Sequence, residues 1–147
     1  MNRPPNNKLS PGQTLPQSIR ISAKDTGTDT TVDMAPGEEY ELTATGLWWD
    51  LYIPSSPNGF FFLQQVLVER FLPEFLVERF FRPRHRASNF FALIGCLDRR
   101  PDQQFFIGKY CKYTPAVAGR LFCFANDVPG FYWNNWGKVD LTIKRLS

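Results

Sequence analysis

Apolar and polar residues alternate along several short stretches of this chain. The clearest examples begin at Ile19, Tyr40 and Lys138, and in each the apolar residues recur at every second position. A period of two is typical of a β-strand that buries one face. The apolar stretches in the second half of the chain predict further strands over residues 92–97, 105–113, 120–125 and 138–146.

Turn-forming residues separate the predicted strands. Asp25-Thr26-Gly27 and Pro36-Gly37 predict turns, and Gly46 is expected to end the strand that begins at Tyr40. The composition agrees, because 14 Phe, 5 Tyr and 4 Trp occur together with 12 Pro and 10 Gly, a mixture that favours short strands and turns over long helices. The predicted fold is therefore all-β, an antiparallel β-sandwich of the jelly-roll kind, formed by a single domain over residues 18–147.

The first 17 residues differ from the rest of the chain. Residues 1–17 contain four of the prolines and few apolar side chains. Such a segment has little to bury, so we expect a flexible, proline-rich arm that precedes the domain.

A phenylalanine-rich insert interrupts the predicted sandwich at about residues 55–90. The pentapeptide Leu-Val-Glu-Arg-Phe occurs at 67–71 and again at 76–80, and Pro73 between the copies opposes one continuous helix. One interpretation is a duplicated loop that packs on the sandwich. The other is an apolar surface between Phe60 and Phe91 that binds a protein partner or a second copy of the chain, with a membrane surface as the less favoured partner.

The charge of the chain is nearly balanced. A formal net charge of +3 at pH 7 is too small to indicate a polyanionic partner. Although arginines gather at positions 82, 84, 86, 99 and 100, no nucleic-acid-binding motif accompanies them. We therefore expect no nucleic-acid partner.

The first residues, the length of the apolar runs and the cysteines bear on the cellular location of the protein. The first residues contain no apolar signal region, and no apolar run reaches the roughly 18 residues that a membrane-spanning helix needs. The cytoplasm, or non-classical export, is the expected location. Cys96, Cys111 and Cys123 lie on apolar segments at spacings unlike those of metal ligands, and we expect them to be buried thiols.

Catalytic motifs are not evident. The one histidine, His85, stands between Arg84 and Arg86 and is expected at the surface. The sequence contains no nucleophile motif, no phosphate-binding glycine loop and no dinucleotide fingerprint. We therefore expect a protein that is not an enzyme.

The most informative segment for ligand chemistry is the loop over residues 126–137. It contains Asp127, a Pro129-Gly130 turn and the adjacent amides Asn134 and Asn135. Calcium binds roughly six to eight oxygens, which carboxylates, amide side chains and backbone carbonyls can supply. The alternative is a turn whose Asn and Asp side chains hydrogen-bond to their own backbone.

This loop resembles the calcium loop of the PA-I-like galactophilic lectins, a bacterial family with a galactose-binding-domain-like β-sandwich. The resemblance rests on Asn126-Asp127-Val128-Pro129-Gly130, Tyr132, Asn134-Asn135 and Gly137. It extends over most of residues 19–147 through the early hairpin and the middle strands, and leaves out the insert. The loop is the specific part of it.

The resemblance implies a set of site residues. Asp127 would be the carboxylate ligand, Asn134 and Asn135 the amide ligands, and Phe131 and Asp50 the backbone-carbonyl ligands of Ca²⁺. Vicinal sugar hydroxyls would complete the coordination shell. The implied sugar contacts lie on the same loop, at Asp127, Val128, Trp133, Asn134 and Trp136.

The chain also departs from the family. The lectins carry a histidine and a glutamine in the loop after the early hairpin, whereas this chain has residues 53–59 followed by the insert, and His85 does not align. A preference for galactose is therefore not carried over. Trp133 and Trp136 replace small residues, and they could either stack on a sugar or close the site.

Two hypotheses follow. The first is a calcium-dependent carbohydrate-binding domain without catalysis, in which Asp127 holds the ion. The second is a protein-interaction or oligomerisation module that uses the region from Phe60 to Phe91 and has lost sugar binding.

Overall fold

Two antiparallel β-sheets make up the part of the chain that the computed structural model describes, residues 6–60 and 82–147. The strands, in chain order, are β1 (Ile19–Ser22), β2 (Thr28–Met34), β3 (Tyr40–Asp50), β4 (Ile53–Ser55), β5 (Leu93–Leu97), β6 (Gln104–Phe106), β7 (Tyr110–Tyr113), β8 (Gly119–Ala125) and β9 (Asn135–Arg145). Two single turns of 3-10 helix occur, at Pro101–Gln103 and Tyr132–Asn134. The fold is therefore all-β, as predicted.

The two long strands β3 and β9 lie at the centre of the first sheet, and the second sheet contains the fully buried strand β5. The first has the order β1-β9-β3-β4, and β7 also pairs with β3. The second has the order β2-β8-β5-β6. Strands β3 and β9 pair along their whole length, from Tyr40 opposite Arg145 to Asp50 opposite Asn135.

The core lies between the two sheets and follows the predicted alternation. Tyr40, Leu42 and Ala44 of β3 are buried in this core. Alternate residues of the two neighbouring long strands join them, at positions 121, 123 and 125 of β8 and 139, 141 and 143 of β9. The largest buried side chain is Trp48, whose Nε1 donates to the carbonyl oxygen of Phe91 at 3.0 Å. This bond satisfies the indole N–H, which burial alone would leave without a partner.

Strand β2 was not predicted. Its sequence, Thr-Asp-Thr-Thr-Val-Asp-Met, is mostly polar, so the apolar alternation is missing. Thr30 nevertheless faces the core, and its hydroxyl donates to the carbonyl oxygen of Leu121 at 2.8 Å. A backbone partner on the neighbouring strand thus allows a threonine to replace an apolar residue.

Two predicted strand limits were wrong. The stretch 105–113 forms two strands in different sheets, because the chain turns at Gly108, whose φ is +63°. Strand β3 continues through Gly46 to Asp50. A Cβ at Gly46 would lie 3.1 Å from the carbonyl oxygen of Lys138, so this glycine permits a close approach of β9 instead of ending the strand.

The amino-terminal segment differs from the predicted flexible arm. Leu9 is only 2% exposed and belongs to the core. The amide of Asn7 donates to the carbonyl oxygen of Thr31, and the amide of Leu15 to that of Ile143, both at 2.8 Å. Residues 7–15 therefore contact both sheets, through backbone hydrogen bonds and through the buried side chain of Leu9.

The three cysteines are free thiols, as expected. Cys96 and Cys123 are buried and Cys111 is half-buried. Burial raises the pKa of Cys111 to about 11 and that of Cys123 well above the ordinary value. Neutral thiols of this kind pack as small apolar groups. No helix in the described part of the chain is long and apolar enough to span a membrane.

Replacement of Leu9 by Ala tests whether the amino-terminal segment is part of the domain. Because Leu9 is buried in the core, we expect Leu9→Ala to lower the free energy of unfolding by about 3 kcal/mol, measured by urea denaturation. The matched control is Leu47→Ala, since Leu47 is 50% exposed and its truncation should cost less than about 1 kcal/mol. Equal stabilities of Leu9→Ala and the parent protein would show that residues 1–17 are a loose arm.

Candidate functional site

The candidate site lies at one end of the first sheet, where β3 ends and β9 begins. Because Asp50 pairs with Asn135, the hairpin between β3 and β4 lies directly beside the loop over 126–134. Four of the predicted ligand residues therefore come together from two parts of the chain, namely Asp50, Asp127, Asn134 and Asn135. The register of the pairing between β3 and β9 fixes this arrangement.

Asp127 is the buried carboxylate of the loop. It is 4% exposed, and its Oδ1 accepts from the amide of Val128 at 2.7 Å while Oδ2 accepts from Nδ2 of Asn135 at 2.9 Å. Burial raises the pKa of Asp127, although these two hydrogen bonds favour the charged form. A negative charge at this position consequently has a cost that a bound cation would remove.

Asp50 is a second carboxylate at the same site. Its Oδ1 accepts from Nδ2 of Asn134 at 2.9 Å. Burial raises the pKa of Asp50, and the nearby charge of Asp127 raises it further. The side chain of Asp50 therefore faces the site, where the family resemblance implied only its backbone carbonyl.

Two amide oxygens at the site have no hydrogen-bond partner. Among the described residues, three buried side-chain polar atoms lack one, and two of these are Oδ1 of Asn134 and Oδ1 of Asn135. The Nδ2 group of Asn135 is occupied, because it donates to the carbonyl oxygen of Ala23 at 3.1 Å and to Asp127. An unpartnered buried oxygen costs roughly 1–3 kcal/mol, which a cation or an ordered water at the site would offset.

These donors fit a hard cation. Two carboxylates and two unpartnered amide oxygens are the oxygen ligands that calcium prefers. The described residues contain no cluster of three or more His, Cys, Asp or Glu side chains, so a set of this kind depends on the two asparagines. The side chains of Asp50, Asp127, Asn134 and Asn135 thus offer oxygen donors of the kind that calcium binds, and calcium binding at this site stays a prediction.

The segment between Asp127 and Asn134 is a tight turn. The amide of Phe131 donates to the carbonyl oxygen of Val128 at 3.0 Å, and Gly130 has a φ of +91°. Pro followed by Gly is the sequence that such a turn requires. Val128 is buried and Phe131 is partly exposed. The amide of Val128, a predicted sugar contact, is already occupied by Asp127.

Aromatic side chains surround the site. Trp49 stacks on Trp136 with 4.2 Å between the ring centroids and 6° between the planes. Nε1 of Trp136 also donates to the carbonyl oxygen of Leu51 at 2.7 Å. Trp136 is 51% exposed and Trp133 is 71% exposed. Both indoles thus present surface to solvent.

Sequence reasoning assigned no role to Asn126. Its side chain is fully buried and joins two segments: Oδ1 accepts from the amide of His85 at 2.8 Å, and Nδ2 donates to the carbonyl oxygens of His85 and Asn89, both at 2.9 Å. Asn126 therefore holds the loop beside the site in place. Its partners lie about 40 positions away, so no local pattern could have indicated them.

His85 differs from the expected surface residue. It is half-buried, and its Nδ1 lies 2.7 Å from Oγ of Ser88. Burial lowers the pKa of His85, so the neutral form is favoured. Its backbone, through Asn126, supports the loop that holds Asp127.

The described ends of the insert belong to the core. Phe60 stacks on Phe91 with 5.4 Å between ring centroids, and the fully buried Phe91 meets the edge of Trp48 at 6.0 Å. These contacts join the ends of the insert to the sandwich. The proposed interaction surface between Phe60 and Phe91 otherwise falls mainly on residues 61–81, outside the described residues.

The pH dependence of stability tests whether burial and mutual repulsion disfavour the charged carboxylates of Asp50 and Asp127. Without a cation, burial raises both carboxyl pKa values above the ordinary 3.8, so the folded state binds protons more tightly than the unfolded state. Above about pH 4 the contribution of these two groups to stability therefore falls as pH rises, until both are ionised in the folded state. Asp50→Asn keeps the acceptor oxygen for Asn134 and removes the charge, so we expect a more stable protein at pH 7 and a flatter pH profile.

Urea denaturation in chelator measures both effects. The matched control is Asp140→Asn, because Asp140 is an exposed carboxylate of β9 that lies 3.7 Å from Arg20, and its loss should not stabilise the protein. If the Asp50→Asn variant is no more stable than the parent at pH 7, the expected destabilisation by two buried negative charges is wrong.

Comparison with known proteins bears on the fold. Neither protein-family models nor curated proteins match this chain in sequence. Among solved structures, the chain is similar to one described as the EclA N-terminal domain, a PllA-like lectin, with a TM-score of 0.63 and 19% sequence identity. The match covers 88% of this chain and 95% of that chain. This chain therefore has the β-sandwich fold of that lectin domain.

Proposed function

We propose that this chain is a calcium-dependent carbohydrate-binding domain that carries out no catalysis. The observation that carries the proposal is the pair of buried, unpartnered oxygens, Oδ1 of Asn134 and Oδ1 of Asn135, beside the carboxylates of Asp50 and Asp127. In a site without a cation these four groups raise the free energy of the folded state. A divalent cation would use all of them.

Calcium would be held mainly by the loop. Asp127 would supply a carboxylate, Asn134 and Asn135 their amide oxygens, and Phe131 and Asp50 their backbone carbonyls. The inward side chain of Asp50 adds a second negative charge, and calcium sites with more charge bind more tightly. We therefore expect a dissociation constant of about 10⁻⁵ to 10⁻⁴ M, instead of the weaker binding of a site with one carboxylate.

The bound ion would supply coordination positions for sugar hydroxyls, and the protein would supply the surface around them. The likeness in fold to a lectin domain supports a carbohydrate ligand. Exposed indole rings at Trp133 and Trp136 provide apolar faces on which the C–H face of a sugar can stack. The stack of Trp136 on Trp49 holds one of these rings in a fixed orientation, so less entropy is lost on binding.

Calcium titration tests the metal half of the proposal. In calorimetry on chelator-treated protein, we expect saturable calcium binding to the parent protein. Asn134→Ala removes one unpartnered oxygen and should weaken binding at least about tenfold. The control is Asn89→Ala, which removes an exposed amide whose Nδ2 is 3.4 Å from the carbonyl oxygen of Asn58. No calcium heat and no thermal stabilisation of the parent protein would refute the metal site.

A glycan array with calcium and with chelator tests the sugar half. We expect binding to a subset of glycans that chelator abolishes. Trp133→Ala should reduce that binding about threefold to tenfold and leave calcium affinity unchanged, because no ligand atom is removed. Tyr110→Ala is the control, since Tyr110 is a half-exposed aromatic of β7 outside the loop. Calcium binding without any chelator-sensitive glycan would leave the cation site intact and refute the lectin function.

A further inference from the structure

A separate pocket lies on the outer face of the second sheet. Leu121, Cys123 and Ala125 of β8 face the core between the sheets, so Phe122 and Phe124 point to the opposite face. Together with the 26–27 turn, Cys96 and two arginines, these rings line a pocket of about 140 Å³. This volume is about ten times the minimum that a single water needs.

The two arginines of the pocket are Arg84 and Arg99, and both are held over aromatic rings. The guanidinium carbon of Arg84 lies 3.6 Å from the ring centroid of Phe124, and that of Arg99 lies 4.5 Å from the centroid of Phe122. A guanidinium stacked in this way presents its N–H groups at its edge, in the plane that recognises carboxylate and phosphate oxygens.

Backbone carbonyls also fix the two side chains. Nη1 of Arg84 donates to the carbonyl oxygen of Thr26 and to the hydroxyl of Tyr132, and Nη2 of Arg99 donates to the carbonyl oxygen of Gly27. The described contacts thus use one terminal nitrogen of each guanidinium. Each group carries five N–H donors, so donors remain for a ligand.

The backbone at Arg99 is held in an unfavourable conformation. Asp98 and Arg99 have φ values of 49° and 58°, in the left-handed region that favours glycine. The turn is closed by the amide of Arg100, which donates to the carbonyl oxygen of Leu97 at 2.9 Å. Strain of this kind is concentrated at sites where a side chain must be positioned, and here the side chain is the one over Phe122.

No described carboxylate forms an ion pair with the arginines of the pocket, although Asp98 and Asp102 are close enough to act on the pKa of Cys96. Arg120 is paired with Asp29 and Asp33, each at 3.2 Å, and Arg100 is paired with Asp102 at 2.8 Å. Within residues 6–60 and 82–147, by contrast, no ion pair includes Arg84 or Arg99. No acidic residue lines the pocket, and burial raises the pKa of the Cys96 thiol, which keeps that group neutral.

We propose that this pocket binds one oxyanion group, a sulfate, phosphate or carboxylate, between the guanidinium edges of Arg84 and Arg99. Two fixed positive charges and remaining N–H donors match such a group, and the two phenylalanine rings shield it from water. The inference does not rest on calcium or on sugar binding. The group can be a free anion or the acidic substituent of a larger ligand, and both share this chemistry.

Nuclear magnetic resonance titration of the intact protein in chelator tests the proposal. Sodium sulfate, sodium phosphate and sodium acetate are each added at constant ionic strength against sodium chloride. We expect at least one of the three to cause saturable shifts of the Arg84 and Arg99 side-chain N–H signals and of the Gly27 amide. A parallel titration with glucose 6-sulfate and with glucose distinguishes an acidic sugar from a free anion as the preferred ligand.

Two variants separate the pocket from general charge effects. Arg99→Gln should weaken anion binding about tenfold or more, because it removes charged hydrogen bonds to the ligand. Arg100→Gln removes a neighbouring arginine that does not line the pocket and should leave the affinity unchanged. Arg84→Gln should resemble Arg99→Gln if circular dichroism shows that it remains folded. Shifts no larger than those in chloride, or equal losses in Arg99→Gln and Arg100→Gln, would overturn the proposal.

Discussion

The pairing of β3 with β9 is the constraint on which the rest of this structure depends. The ladder runs without interruption from Tyr40 opposite Arg145 to Asp50 opposite Asn135, and Gly46 allows the two backbones to approach closely at its centre. A slip of one residue would send alternate side chains to the wrong face. It would expose Trp48 and separate Asp50 from Asn135, so the same register determines both the core and the candidate site.

Asn126 and Asn135, at the two ends of the site loop, are both buried but differ in how their side-chain amides are hydrogen-bonded. The amide of Asn126 is satisfied on both sides by the backbone of the 85–89 loop. That of Asn135 has a bonded nitrogen and an oxygen without a partner. Both side chains are fully buried. The first contributes to folding, whereas the second keeps a cost of burial that a cation or an ordered water would offset. The raised carboxyl pKa values of Asp50 and Asp127 show that burial also disfavours negative charge at this site.

Much of the fold could be predicted because the alternation of apolar and polar residues identifies a strand from its own sequence, without knowledge of its partners. Strand β2 was not predicted, since its buried Thr30 is polar and bonds the neighbouring strand through its hydroxyl. The burial of Leu9 was not predicted either, because a single buried leucine has no periodicity. The loop residues of the candidate site could be proposed from the sequence because they lie close together and resemble the loop of a known family. The contact between the Asp50 side chain and Asn134, and the meeting of Arg84 with Arg99 in one pocket, depend on sheet register and on cation–π stacking, which a linear pattern does not contain.

The carboxylate site and the arginine pocket are neighbours, and their separation is a physical requirement. The backbone amide of Arg84 donates to the carbonyl oxygen of Asp127 at 3.2 Å, yet its guanidinium is turned towards Phe124 and Thr26. The hydroxyl of Tyr132 accepts from Nη1 of Arg84 and donates to the carbonyl oxygen of Ala125. A guanidinium that reached Asp127 would form an ion pair and neutralise the carboxylate that a cation needs. By holding the guanidinium of Arg84 near Phe124, these contacts keep the proposed anion pocket separate from the proposed cation site.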